Sequence, residues 1–309
     1  MTGRGAGPTR DGVKEKAVLA EISLLLAAFF VGTDFVSIKY ALRGLPLLVL
    51  VPLRYVVAGL LILGLLYLLG NKRTLGPKDL PVMAGLGLVG VTLNQVGYTV
   101  GLSLTSGSNG ALVFATAPVW GLLLGIVLGV ERGSRRGALG LGLAVAGVAL
   151  IVGGGLGSPD ASVGGDLLVC LSAFSWGAYT MLSLPVLQRF DPLFVAGWTM
   201  LLGGAAVLPL AFVGFPGLSE PVSHVDWASV GMGSWIAAVY STVLASAFAI
   251  AAWQANVYRL GANRVLVYMY LVTLFGLVFS VLLLGEGLGV GKVAGAVVIL
   301  LSVYLARRA

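Results

Sequence analysis

Residues 17–39 read AVLAEISLLLAAFFVGTDFVSIK. Only Glu21, Asp34 and Lys39 in this stretch carry charge. A helix that crosses a bilayer needs about 20 mostly apolar residues, whereas the apolar core of a signal peptide ends after about 7–15. The run continues to Ile38, so it predicts a retained first membrane helix rather than a leader. Residues 1–17 before it are short and basic, with Arg4, Arg10, Lys14 and Lys16, and read as a cytoplasmic tail.

Comparable apolar runs follow along the whole chain. They predict ten crossings, at 18–40, 46–69, 80–101, 107–129, 135–153, 164–186, 192–213, 231–255, 264–284 and 289–306. Turn and charge clusters separate them, such as Gly70-Asn71-Lys72-Arg73, Glu131-Arg132-Gly133-Ser134 and Gly157-Ser158-Pro159-Asp160. Composition agrees. Only 10% of the residues are charged and 58% are hydrophobic, against about 25% charged in soluble domains. A soluble fold could not cover its surface with so few charges; lipid tails remove that need. The expected fold class is an all-α, multi-pass protein of the cell membrane with ten transmembrane helices, its partner being the lipid bilayer itself.

The charges test this count. With a cytoplasmic N-terminus and alternating sides, inner segments hold 15 of the Lys and Arg residues, among them Lys72, Arg73, Lys78, Arg135, Arg136, Arg189, Arg259, Arg264, Arg307 and Arg308. Outer segments hold three, Lys39, Arg43 and Lys292. This is the bias expected of cytoplasmic loops, and it puts both termini in the cytoplasm. Outer segments carry Asp160, Asp166, Glu220, Asp226 and Glu286 instead. The net charge of +7 is therefore topological, and no basic surface domain exists to bind nucleic acid.

One cysteine, Cys170, and one histidine, His224, allow neither an internal disulfide nor a Cys/His metal cluster. The sequence has no P-loop, no H-E-x-x-H and no G-x-S-x-G. These features argue against an ATP-driven pump and an intramembrane enzyme, and they call for no metal and no cofactor.

The halves of the chain resemble each other. Ala28-Phe29-Phe30-Val31-Gly32 parallels Ala173-Phe174-Ser175-Trp176-Gly177, and Leu128-Gly129-Val130-Glu131 parallels Leu283-Leu284-Gly285-Glu286. Gly121 and Gly140 fall on Gly276 and Gly295 at one common offset of 155 residues. Each half has five crossings, an odd number, so the second must sit inverted. The predicted units are 18–155 and 164–306. Inverted repeats are a recurrent transporter plan, because two pseudo-symmetric halves can exchange inward-open and outward-open shapes.

The chain resembles the EamA-like branch of the drug/metabolite transporter superfamily. The likeness is carried by Phe30-Val-Gly-Thr-Asp-Phe-Val-Ser-Ile-Lys39, Leu53-Arg54, Leu104-Thr-Ser-Gly-Ser-Asn-Gly-Ala111, Ala117-Pro118, the Gly/Glu helix ends and Tyr258-Arg-Leu-Gly-Ala-Asn263. It covers nearly the whole chain. The resemblance implies two inverted five-helix repeats around a cavity lined by helices 1, 3, 4, 6, 8 and 9, and export of amino acids and related metabolites by alternating access. Broad-specificity drug or cation export, uptake and a passive channel are the alternatives. Protons or a counter-substrate are the options for coupling, and a homodimer is one option for assembly. Two positions depart from the family pattern: Asp34 stands where a neutral polar residue is usual, and Thr273 where the second repeat commonly has proline.

Polar groups inside the crossings are the candidate site. Asp34 lies about 9 Å from the outer end of helix 1 at 1.5 Å per residue. A carboxylate there must be paired, protonated or hydrated. It reads as a group that binds a substrate amine or carries a proton, or as the ion-pair partner of Arg54 at similar depth on helix 2. Asn94, Gln95 and Tyr98 sit on helix 3, with Asn94 and Tyr98 sharing a face at i,i+4. Asn109 begins helix 4, and Thr116 precedes Pro118, which frees a backbone carbonyl one turn earlier. Trp120, Trp176, Tyr179, Tyr240, Tyr268 and Tyr270 form a mid-depth aromatic set suited to apolar or cationic bodies. All of these are substrate-binding candidates. Trp227 and Trp253 read as interfacial anchors, Lys39 as a residue that snorkels outward or binds a carboxylate, and Glu131 and Glu286 as caps on the helices that follow them. The stripe Gly121, Gly125, Gly129 reads as a close-packing surface, as do Gly291 and Gly295.

Overall fold

A computed structural model describes residues 10–129, 135–155, 162–215 and 218–307. In chain order its helices are α1 (Arg10–Ala41), α2 (Leu47–Leu68), α3 (Leu80–Leu104), α4 (Gly107–Val127), α5 (Arg135–Gly155), α6 (Val163–Leu187), α7 (Pro192–Val213), α8 (Met232–Leu260), α9 (Arg264–Leu284) and α10 (Val290–Arg307). No strand occurs among the described residues. Eight helices are long and apolar enough to cross a membrane; α5 and α10 offer shorter apolar stretches, Ala138–Ile151 and Val290–Ser302. Residues 10–17, expected as tail, continue α1. Many large apolar side chains face outward, including Leu68, Val127, Phe212 and Leu282, as lipid contact requires.

The helices start where side chains can satisfy free backbone N–H groups. Ser106 accepts from the Asn109 N–H at 3.1 Å, and Asp191, followed by Pro192, accepts from the Leu193 N–H at 2.9 Å. Two helices contain a π-helical segment, Leu88–Leu93 in α3 and Ser241–Phe248 in α8. α4 breaks at Ala115–Thr116, just before Pro118. α9 has a turn at Val267–Tyr268 and then runs unbroken through Thr273. The Thr273 hydroxyl donates to Met269 O within α9 and lies 3.2 Å from Ala111 O of α4. The missing proline thus leaves α9 straight at 273.

Packing follows a regular scheme. α1 lies against α9 and α8, α6 against α4 and α3, α2 against α7 and α8, α3 against α7, and α5 against α10. Replacing each helix by the one five places away maps this scheme onto itself. The closest approaches repeat as well. A Cβ on Gly32 would stand 2.6 Å from Val272 O, and one on Gly177 would stand 2.7 Å from Ala117 O and Gly121 N. Backbone occupies the space a side chain would need, so the closest approach of α1 to α9 and of α6 to α4 requires glycine. Gly121 belongs to this contact, but Gly129 does not extend the stripe. It ends α4 with φ +70° and open space where a Cβ would stand, a left-handed stop of the kind glycine favours.

Gly177→Ala is expected to push α4 from α6 and lower stability by about 1–3 kcal/mol. Gly64→Ala, on α2 with open space around it, should be neutral or stabilising by up to about 1 kcal/mol. Melting temperatures of the purified variants in one detergent check both. Equal melting of Gly177→Ala and wild type would mean the helices tolerate separation.

Candidate functional site

Asp34 and Arg54 meet in the middle of the bundle. Arg54 Nη2 lies 2.8 Å from Asp34 Oδ2, and the residues are 1% and 4% exposed. α8 completes the pair from its π-helical segment: Ser241 donates to Asp34 Oδ1, and Ser246 Oγ accepts from Arg54 Nη2 at 3.2 Å. Taking both charges out of water is costly, and their mutual attraction offsets that cost only with good geometry and added hydrogen bonds. π segments interrupt the regular α ladder and often mark functional positions. Here one turns two serines toward the ion pair.

Beside the pair lies a cavity of about 30 Å³, lined by Val31, Asp34, Tyr55, Gln95, Tyr98, Phe114, Trp176, Ala245 and Ile250. Six helices contribute these side chains. Three buried polar atoms on its wall, Gln95 Oε1, Tyr98 Oη and Trp176 Nε1, have no hydrogen-bond partner among the described residues, nor do Nε and Nη1 of Arg54 behind Asp34. The polarity of Gln95 is fixed by a relay. Asn94 Nδ2 donates to Ser172 O at 2.7 Å and Ser172 Oγ at 2.9 Å on α6, so Asn94 Oδ1 must accept from Gln95 Nε2. That leaves Gln95 Oε1 as a bare acceptor. The wall therefore offers one acceptor (Gln95), one donor (Trp176), a hydroxyl that can do either (Tyr98) and one carboxylate (Asp34), framed by the rings of Tyr55, Phe114 and Trp176.

Of the expected site residues, the cavity gathers Asp34, Gln95, Tyr98 and Trp176. Asn94 stands behind Gln95, bonded to α6. The buried Tyr179 hydroxyl bonds Thr199 on α7 at 2.9 Å, and its ring packs on Trp176. Tyr240 bonds Thr33, one residue before Asp34. Thr116 accepts from Trp120 Nε1 at 3.1 Å, and the Trp120 ring meets Phe174, away from the cavity. Tyr268 and Tyr270 flank the start of the long α9 segment, half-buried and outside the lining. Trp253 is no interfacial anchor: it is 3% exposed, donates to Thr180 Oγ1 and packs on Trp176. Trp227, 42% exposed and stacked on Trp235, keeps the exposure of one. Sequence reading missed Ser172, Ser241 and Ser246, whose hydroxyls look like ordinary small packing residues along a helix.

A second polar cluster closes the end of the bundle opposite Arg73, Arg189 and Arg259. Glu286 does not cap the helix after it. Its two oxygens accept from Gly107 N and Ser108 N at 2.7 Å each, at the start of α4. Lys292 donates to Ser108 Oγ at 2.8 Å and Ser106 Oγ at 3.2 Å. Lys39 does not reach outward; its Nζ donates to Thr105 O at 2.6 Å. Asp166, expected among the outer acids, is buried in the first turn of α6, where it accepts from Thr105 Oγ1 at 2.6 Å and Asn109 Nδ2 at 3.2 Å. Asn109 thus belongs to this end, not to the central cavity. Glu131 lies outside the described residues.

These features define a multi-pass membrane protein with a polar centre. The EamA-like transporter family model matches residues 18–153 and again 163–308. The chain belongs to the EamA-like transporter family. A relative in Archaeoglobus fulgidus, named an uncharacterized transporter, is 27% identical, covering 93% of this chain and 98% of its own. A "Probable amino-acid metabolite efflux pump" of Salmonella typhimurium is 24% identical, over 91% and 92% of the two chains. A "Probable terminal-alkyne amino-acid exporter" of Streptantibioticus cattleyicolor is 30% identical over 68% of this chain and 67% of that one. One solved crystal structure has the same fold, with TM-score 0.65 at 20% identity across 94% of this chain and 97% of that one.

Proposed function

We propose that this transporter exports a small organic metabolite, an amino acid or a close relative, across the cytoplasmic membrane by alternating access. In this reading residues 18–155 and 164–306 are two inverted five-helix repeats, with ten crossings and both termini in the cytoplasm. The self-mapping packing scheme and the doubled family match support the repeats. The names of the Salmonella and Streptantibioticus relatives support the substrate class.

The observation that carries the reading is the wall of the central cavity. An amino-acid zwitterion presents N–H donors and a carboxylate on one carbon. Gln95 Oε1 and Asp34 suit the first, Trp176 Nε1 and Tyr98 Oη the second, and the aromatic frame suits an apolar side chain. A cation without a carboxylate would need an unpaired acid on the wall, whereas Asp34 is paired with Arg54, so a solute that is neutral overall fits better. A volume of about 30 Å³ has room for a water or so and not for a metabolite, so binding must accompany opening.

A thermal-shift screen of the purified protein against amino acids, nucleosides and cationic drugs tests the substrate class, because a ligand that prefers the native state raises its melting temperature. Amino acids with apolar side chains are expected to raise it, and their amines lacking the carboxylate are not. Asp34 is the proposed coupling group. In proteoliposomes the double variant Asp34→Asn with Arg54→Met, which strands no buried charge, is expected to lose proton-driven accumulation while leaving counterflow measurable. Full accumulation by that variant would remove Asp34 from coupling and point to exchange with a counter-substrate.

A further inference from the structure

α8 carries a row of small residues that no part of the site above uses. Val243, Ala247, Ala251, Ala255 and Arg259 follow one another at intervals of four, along one face of the helix. The three alanines leave a trough, walled by α1 at Leu19 and by α2 at Leu65, with a volume of about 550 Å³. That is the size of a ligand pocket. Its lining is almost wholly apolar, and Leu19 and Leu65 are 56% and 49% exposed, so the trough opens on the lipid-facing surface.

We infer that this trough is a binding site for one anionic glycerophospholipid. Three observations set the occupant. First, the side chains along the trough offer no donor or acceptor for a polar metabolite above Ser23 and Arg259, and a hydrogen-bonding solute loses several kcal/mol of hydration in such a place without return. An acyl chain loses nothing. Secondly, the trough is long and runs along the helix. Val243 to Arg259 spans about 24 Å at 1.5 Å per residue, enough for an extended chain that starts at the interface and runs past the roughly 15 Å of one leaflet. Thirdly, its mouth is cationic. Arg259 is exposed in the last turn of α8 and has no ion-pair partner among the described residues. A headgroup phosphate there meets it at the level where basic residues attract anionic lipid.

The tip of the chain would rest on Val243, Ala247 and Phe248, all in the π-helical segment. The same segment holds Ser241 and Ser246 on the Asp34–Arg54 pair. The lipid therefore buttresses α8 directly behind the central site, and its binding is linked to the position of that helix.

Native mass spectrometry of the full chain, titrated with phosphatidylglycerol and with phosphatidylcholine of the same acyl composition, tests the site. The wild type is expected to retain one phosphatidylglycerol in preference to phosphatidylcholine and to melt at a higher temperature with it. Arg259→Gln should weaken phosphatidylglycerol retention roughly fivefold, the effect of about one basic residue at a membrane surface, and leave phosphatidylcholine unchanged. Ala251→Phe fills the trough and should lose both lipids. If Ala251→Phe does not fold, Arg259→Gln, at an exposed position, decides alone. Equal retention of the two lipids by the wild type, full retention by Ala251→Phe, displacement of the lipid by an amino acid, or a second copy of the chain held on this face would each overturn the assignment.

Discussion

Arg54→Met should destabilise the protein by about 3–5 kcal/mol, the cost of leaving a buried charge without its partner. Asp34 is 4% exposed, and its remaining contact is the hydroxyl of Ser241. A serine cannot supply the countercharge that a carboxylate needs at that depth. The double variant Asp34→Asn with Arg54→Met should recover most of the loss. A neutral amide keeps the hydrogen bond to Ser241, and methionine fills much of the arginine volume with no charge to solvate. Thermal melts by fluorescence-detected size exclusion compare the single and double variants in one detergent. If the single substitution melts within about 2 °C of wild type, corresponding to about 1 kcal/mol for a chain of this size and so well short of the expected loss, the pair is hydrated rather than dry. If the double variant melts as low as the single, Arg54 matters through its shape and not through Asp34. The experiment also bears on transport: a stable, charge-free double variant that still accumulates substrate on a proton gradient would confine the pair to architecture.

The helices were legible in the sequence, because the membrane imposes a length on each apolar run. That signal is local and repeats along the chain, so single errors do not spread. Asp34 and Arg54 were visible for a related reason: a charge in an apolar run is expensive and must have a partner. The rest depended on contacts distant in sequence. Asn94 and Tyr98 share a helical face, but so do Gln95 and Tyr98. Only the position of Ser172 on α6 decides that Asn94 turns outward from the cavity and Gln95 into it. Glu286 lies 179 residues from Gly107, and nothing near either of them announces the bond. The π-helical segments have no compositional mark at all. They arise where packing makes the backbone absorb an extra residue, and they bring forward serines that would read as filler in a regular helix. Trp253 misled because the end of a predicted crossing is where anchors normally sit, whereas α8 continues beyond it to Leu260.

The clasp at the end of the bundle opposite Arg259 sets the second large effect. α1, α8 and α9 form one packed group, and α3, α4 and α6 form another. Glu286 and Lys292, after α9, and Lys39, on α1, reach across to the α3–α4 junction and its first helical turn. Opening this end must separate the two groups and break those bonds. Glu286 holds two backbone N–H groups at a helix start, where a negative charge is favoured and each such bond to an ionised acceptor contributes about 1.5–3 kcal/mol. Glu286→Gln keeps one acceptor oxygen and removes the charge. A loss of about 2 kcal/mol from the closed form alone raises the open population about 30-fold. Ala111, fully buried one turn into α4, is a suitable reporter. In a Cys170→Ser background, Ala111→Cys should react with a maleimide about 30 times faster once Glu286→Gln is added, and Lys292→Met should give a smaller increase, since its bonds end on serine hydroxyls and not on the helix itself. The rate is read on purified protein in detergent, with denatured protein as the full-exposure reference. An unchanged rate in Glu286→Gln would mean that helix packing, led by the Gly32 and Gly177 contacts, keeps this end shut and that the clasp only follows it.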